Sequence, residues 1–477
     1  MRTGPNFVIA ALFVTLTAAT FESAMLFAAL PTLIRDFGDP VKAGWLVTMH
    51  SLIGSGTCIV VGRFGDIRGR KGVILVLIAL ACAGSVMSAV TTDYAIVMLG
   101  RALQGFSIGV MPLALSVLRE SLPIARVPVA VGLMTTAQGM GVAIGLVLGG
   151  WIIDNFDWHT LFAFSALLLV VAWIAVWLFV PARPGIPARE PIDWVEGLLP
   201  VPGITSMLLG ITLSKDLGWL DGQVLGLIAL GMAILAWWAR RSLRAKEPFI
   251  DLRILAIPNI AVVNIMAVLL GMGTMQIVFL FSTFTQAPLW TMAGLGLSAT
   301  VAGLAKLPSN ILSFFAGPIS GLMMTRFGYR VPIVGGALLA GVGWVLALPL
   351  PDTLIGVIAL LCIISFGTSG LNAAMPTVIV TSAPEGRTSE GIGTMSVLRG
   401  MASAIGVQII AVLLASDTIT EPGGTAQFPS PTGYRITMAW IAGLTFAAAF
   451  VGLFLRARPG EEEAAPAAAP AREAAPT

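Results

Sequence analysis

The chain has 477 residues, 57% of them hydrophobic and only 11% charged, with a formal net charge of +3 and a mean hydropathy of +0.93. Soluble globular chains carry about 25% charged residues, so a large soluble domain is excluded, and dispersed, weak positive charge argues against nucleic acid. Cys58, Cys82 and Cys362 all lie in apolar stretches, too scattered for a metal cluster and poorly placed for a disulfide.

A bilayer core takes about 20 apolar residues per helix. In chain order, the sequence predicts fourteen such helices, beginning near Phe7, Gly44, Val73, Tyr94, Val129, Thr160, Gly197, Gln223, Asn259, Leu297, Val331, Leu354, Ile392 and Ile436. Behind Met1-Arg2-Thr3, the first apolar stretch outruns the core of a cleaved signal peptide, which predicts a retained first helix. Pro200, Pro202 and Lys215 interrupt or crowd the seventh and eighth. The end from Gly460, rich in Glu, Ala and Pro, is low in complexity and predicted to be disordered.

Basic residues favour the cytoplasmic loops of membrane proteins. On the side of the termini this count places 20 Lys and Arg, against 4 on the other side (Arg35, Lys42, Lys215 and Arg435). Both termini are therefore expected in the cytoplasm. Arg101, Lys306 and Arg399 remain inside helices.

Glu22 is the one acid well inside an apolar stretch. A carboxylate at bilayer depth costs roughly 2.5–3.5 kcal/mol on insertion scales, and taking up a proton removes that cost. Glu22 is thus the first candidate for a proton carrier. Arg101 falls at similar depth, roughly 10–14 Å below the outer surface at about 1.5 Å per residue, so an ion pair with Glu22 is possible, as is snorkelling. Lys306 has three readings: snorkelling outward, partnering Glu22, or binding an anionic substrate. Pro112, Pro308, Pro318 and Pro376 free carbonyls that need protein or a wet cavity beside them. Phe27, Met111 and Met375 are candidates for a soft cavity lining or for ordinary packing.

An internal repeat divides the chain. Gln138 to Gly145 parallels Arg399 to Gly406, Ala125-Arg126 parallels Gly386-Arg387, and Gly62 to Lys71 parallels Gly321 to Arg330 at nearly the same offset. Two similar six-helix bundles with a site between them follow. The expected architecture is an all-α polytopic membrane protein with an N-terminal bundle over 1–182, a linker with two inserted helices over 183–257, a second bundle over 258–457 and a cytoplasmic tail over 458–477.

The loop Gly62-Arg63-Phe64-Gly65-Asp66-Ile67-Arg68-Gly69-Arg70-Lys71 resembles the signature loop of the major facilitator superfamily. The resemblance implies that Gly62, Asp66, Gly69 and Arg70 form a latch between bundles; Arg399, near the cytoplasmic end of helix thirteen, is expected to close the inner gate rather than bind substrate. Thr325 stands where the second copy would carry the acid. Arg101-Ala102-Leu103-Gln104-Gly105 resembles the superfamily motif whose Arg is linked to proton movement. Gly141, Gly145, Gly149 and Gly150 match its antiporter motif, with Leu146 in place of the usual Pro. Fourteen helices, Glu22 nine positions before Pro31 of Ala29-Leu30-Pro31, and Trp45 to Leu52 resemble the drug:proton antiporter branch, with Glu22 for its usual Asp and His50 for its usual Tyr. Asp193-Trp194 and Glu247 to Arg253 also look like this branch. His50 is either a titrating partner of Glu22 or a neutral, hydrogen-bonded ring.

The expectation is a proton-coupled exporter of small amphipathic or drug-like compounds, with Glu22, Arg101 and His50 in proton coupling and Phe27, Met111, Lys306, Pro308 and Met375 around the substrate. Its partners are the substrate, protons and the lipid bilayer; a monomer in the cell (inner) membrane is expected, with no cofactor or metal. An organic-anion transporter using Lys306 and Arg101 is one alternative; a non-transporting lipid-binding or sensing protein is another. Gly105-Phe106-Ser107-Ile108-Gly109 fits a hydrolase elbow but lies inside a membrane helix with no strand before it. The sequence has no phosphate-binding Gly-x-x-x-x-Gly-Lys-Ser/Thr loop.

Overall fold

The computed structural model describes residues 4–456 except 39, 124–125, 186–193, 246–247, 249 and 385–387. The tail over 458–477, Asp193, Glu247, Phe249 and the Ala125 and Gly386-Arg387 parts of the repeat lie outside the described residues.

Among the described residues, fourteen helices are long and apolar enough to cross a membrane. In the first bundle helix one spans Pro5–Phe37, two Pro40–Arg68, three Arg70–Ala89, four Tyr94–Ser121, five Val129–Asn155 and six Trp158–Phe179. Helices seven (Val195–Leu217) and eight (Gly222–Arg244) form the insertion. The second bundle follows as helix nine Pro258–Gln286, ten Ala299–Phe327, eleven Arg330–Ala347, twelve Leu354–Ser382, thirteen Gly391–Leu414 and fourteen Pro431–Gly452.

Side-chain caps set several boundaries. The carboxylates of Asp93, Asp157 and Asp221 and the hydroxyl of Ser430 accept from free backbone N–H groups at the starts of helices four, six, eight and fourteen. All of these starts face away from the termini, here the far face; the face of the chain ends is the near face. Between helices thirteen and fourteen a short antiparallel hairpin pairs Thr418–Thr420 with Gln427–Pro429, an element hydropathy did not predict.

Prolines act locally. Helix ten continues through Pro308 and Pro318, and helix twelve through Pro376. Helix four instead tightens into a 3-10 turn, Phe106–Gly109, just ahead of Pro112. Pro112 has no N–H for the Ile108 carbonyl, which accepts from the Cys58 thiol of helix two at 3.7 Å.

The hydrophobic cores show how the bundles meet. In the near half each bundle has its own core: Val8, Leu12, Ile74, Leu113 and Leu169 belong to one, and Ile260, Met266, Ile333 and Val378 to the other. In the far half a single core joins both bundles, from Phe21, Leu30 and Phe162 to Phe284, Trp344 and Tyr434. The bundles are therefore sealed together at the far face and have separate cores toward the near face, where along one side a further core runs from Ile59 of helix two through Ile204 and Trp238 of the insertion to Val397 of helix thirteen.

The insertion wedges against both bundles. Thr212 of helix seven accepts from Trp45 Nε1 of helix two at 2.9 Å and from Gln408 Nε2 of helix thirteen at 2.8 Å. Gln408 in turn accepts from Thr48 of helix two at 3.3 Å.

Candidate functional site

Close backbone contacts assemble the polar centre of the first bundle. A Cβ on Gly84 would sit 2.3 Å from the Gly100 carbonyl oxygen, so helices three and four touch backbone to backbone. The next residue on each helix is Ser85 and Arg101. A Cβ on Gly105 would lie 2.6 Å from the His50 carbonyl oxygen, which draws helix four equally close to helix two.

Glu22 is fully buried on helix one. Ser85 donates to its Oε1 at 2.9 Å and accepts from Gln104 Nε2 at 2.7 Å. Gln104 Oε1 accepts from Arg101 Nη1 at 2.6 Å, and Arg101 Nε donates to the Leu46 carbonyl at 3.0 Å. Arg101 is 1% exposed, so it does not snorkel. The ion pair that equal depth made possible is replaced by a chain of hydrogen bonds, Arg101–Gln104–Ser85–Glu22, because the Gly84–Gly100 contact puts Ser85 between the charges. Among the described residues, Glu22 Oε2 and the buried Ser107 hydroxyl have no hydrogen-bond partner of normal geometry, although the Ser107 hydroxyl lies close enough to that carboxyl to act on it. His50, 3% exposed, faces Ser23 Oγ at 3.4 Å rather than the carboxylate.

The glycines of the antiporter motif hold the helix that carries Glu22. Cβ atoms on Gly141 and Gly145 would fall 2.5 Å from the Thr17 and 3.0 Å from the Phe21 carbonyl oxygens of helix one. Gly149 lies against Met25 of the same helix. Gly150 faces the other bundle, where a Cβ would lie 2.4 Å from the Ala299 carbonyl oxygen of helix ten. Helix five thus packs on the Glu22 helix with one face and seals against the second bundle with the other.

A residue missed from sequence completes that seal. Asp154, at the far end of helix five, accepts from the Ala299 and Thr300 N–H groups at 2.9 and 2.8 Å. It caps helix ten from the opposite bundle, where a carboxylate is favoured by the helix dipole. Its position beside a loop made it look like an ordinary interfacial acid. Such a cap contributes about 1 kcal/mol, so Asp154→Ala should raise the far-open population about fivefold. The check is the labelling rate of Ala28→Cys by an impermeant thiol reagent added from the far face; an unchanged rate would remove Asp154 from the seal.

Lys306, on helix ten, is 8% exposed. Its ammonium donates to Ser365 Oγ at 2.5 Å and borders a narrow cavity between the bundles. Phe27 lies at the same seam, its carbonyl accepting from Ser282 and its ring edge-on to Phe279. The other expected cavity residues do not line it. Met375 is 3% exposed in the near core of the second bundle, Met111 packs against that of the first, and Pro308 is exposed. Hydropathy cannot tell a core-facing apolar side chain from a cavity-facing one.

The signature loop is held within its own bundle. Arg70 donates to Asp66 at 2.7 and 3.1 Å, to the Ser116 carbonyl at 3.2 Å, and pairs with Glu120 at the end of helix four. Gly69 has φ +88°, and a Cβ there would also meet the Arg183 carbonyl oxygen at 2.7 Å. A Cβ on Gly62 would meet nothing within 4 Å. Arg399 donates to Asn372 within the second bundle at 3.1 Å. In this arrangement the expected latch residues do not bridge the bundles.

Two bundles of membrane helices with polar groups buried in one and at the seam define a polytopic membrane protein, and the family and relatives it matches are transporters rather than enzymes. The chain belongs to the Major Facilitator Superfamily, whose family model matches residues 12–407 and 288–476. It is similar to the multidrug transporter protein MdtP of Bacillus subtilis, 23% identical over 85% of this chain and 74% of that one. It is also similar to the tetracenomycin C resistance and export protein of Streptomyces glaucescens, 24% identical over 90% and 79%. Among solved structures the nucleoside transporter NupG shares the fold, with a TM-score of 0.67 at 11% identity over 94% of this chain and 99% of that one.

Proposed function

We propose that this protein is a proton-coupled exporter of small amphipathic compounds, with Glu22 as the proton carrier. The observation that carries the reading is a fully buried carboxyl with one oxygen unpartnered, joined to a buried arginine through neutral groups. Such a group can gain or lose a proton without breaking an ion pair. When protonated, its Oε2 becomes a donor, and the Ser107 hydroxyl beside it is an acceptor. Arg101, two neutral side chains away, stabilises the charged form. His50 and Ser23 form the neighbouring polar pair.

The bundles rock about the site, so that it opens alternately to each side. The described arrangement is sealed at the far face; with the near face cytoplasmic, as the basic loops suggest, that seal is the outer gate. A proton enters from outside, the substrate leaves, and the proton is delivered inside after the bundles return. The export name of the Streptomyces glaucescens relative supports this direction. The protein works as a monomer in the cell membrane.

The test is proton release from purified protein in detergent on adding a lipophilic cation such as tetraphenylphosphonium. The parent is expected to release a proton and Glu22→Gln none. Equal release from both would end the assignment of Glu22.

A further inference from the structure

We infer that Lys306 forms an anion subsite at the bundle seam, taking the carboxylate of an amphipathic organic acid. The inference rests on the reading of the chain as a transporter and extends it to a second class of substrate. The side chain is buried, and among the described residues no carboxylate pairs with it. An ammonium has three donors, and one protein acceptor, Ser365 Oγ, is in place.

Two of the three readings open from sequence fall away. Snorkelling would expose the ammonium, which is instead held by Ser365 inside the protein. Pairing with Glu22 would need that carboxyl at the seam, whereas it is tied to Ser85 within the first bundle. What remains is a buried cation facing a narrow cavity whose other walls are largely apolar: Ala28 and Leu146 from the first bundle, and Val278, Phe281 and Leu361 from the second. The polar side chains there are committed. Ser282 donates to the Phe27 carbonyl and accepts from Gln286, and Thr285 donates to the Phe281 carbonyl.

A buried unpaired charge is costly, and a bound anion supplies what the protein withholds. One cation with few further donors suits a single-charged carboxylate better than a phosphate, which calls for several donors. The cavity, about 20 Å³, has room for little beyond the head group, so the alkyl or aryl part that follows it lies along the apolar walls as the bundles part. Near the centre of an exporter this makes Lys306 a specificity-determining residue that distinguishes acids from cations of equal size.

The test compares octanoate with octyltrimethylammonium, which share a chain and differ in head charge. Binding to purified full-length protein in detergent is followed by calorimetry, with empty micelles as blank. Lys306→Gln is expected to weaken octanoate at least tenfold and to change octyltrimethylammonium less than twofold, while Lys306→Arg keeps most octanoate affinity. Unchanged octanoate binding in Lys306→Gln, parallel loss of both ligands, or no octanoate binding to the parent would each overturn the proposal. Glu22→Gln should bind octanoate as the parent does, so failure of the proton-carrier reading shows separately, in the release assay.

Discussion

Glu22→Gln is expected to abolish uphill export while leaving the protein at least as stable as the parent. At a membrane potential of roughly 100 mV one charge is worth about 2.3 kcal/mol, which sustains a concentration ratio of about fifty for an uncharged substrate exchanged against one proton. With the carrier gone, that ratio should fall to about one, and only downhill exchange of substrate should persist. Stability should not fall, because the amide keeps the shape of the carboxyl. Its NH2 can also donate to the Ser107 oxygen, which has no partner in the parent. A carboxyl at this depth carries an insertion cost of roughly 2.5–3.5 kcal/mol, part of which the amide removes. The measurement is substrate accumulation in proteoliposomes under an imposed proton gradient, beside thermal denaturation of both proteins. Continued accumulation by Glu22→Gln would move proton coupling elsewhere.

Arg101→Ala should have the largest effect on stability. Arg101 is among the largest fully buried side chains and satisfies both the Leu46 carbonyl and the Gln104 amide oxygen. Alanine leaves the Gln104 amide oxygen unpaired, takes a second donor from the Leu46 carbonyl of helix two, and opens a cavity where helices two, three and four meet. Breaking a buried charged network in this way costs about 3–5 kcal/mol. Arg101→Lys should recover only part of it, since an ammonium cannot reproduce the guanidinium fork. Thermal denaturation in detergent should rank parent above Arg101→Lys above Arg101→Ala. An Arg101→Ala protein as heat-stable as the parent would show that the network contributes little to folding.

Spans and site were not equally legible in the sequence. Long apolar runs and polar gaps gave all fourteen helices, because chain length against bilayer thickness is a coarse and strong constraint. Glu22, Arg101 and Lys306, which the sequence places inside apolar runs, are buried in the protein. Rotation was not legible. In a helix apolar on every side, nothing in hydropathy says that Ser85 points at Glu22, or that Met375 points into a core. Glycine pairs carried that information, yet a glycine contact is visible only once its partner is known. Asp154 and Thr212 escaped because each acts across a boundary the sequence treats as a separation, one between bundles and one between a bundle and the insertion.

The cavity beside Lys306 has walls from both bundles, and helix ten, which carries Lys306, is also the helix that Asp154 and Gly150 grip at the far face. Parting the far face therefore removes Ala28 and Leu146 from one side of whatever lies in the cavity. By linkage, the affinity the occupant loses on opening equals the amount by which it resists opening. A compound that drew most of its binding from those two walls would hold the far seal shut and act as an inhibitor. One held mainly by Lys306 would ride through the transition and be released. The same side chains can thus sort ligands into cargo and blockers by where on the molecule their affinity resides, without any difference in how tightly they bind.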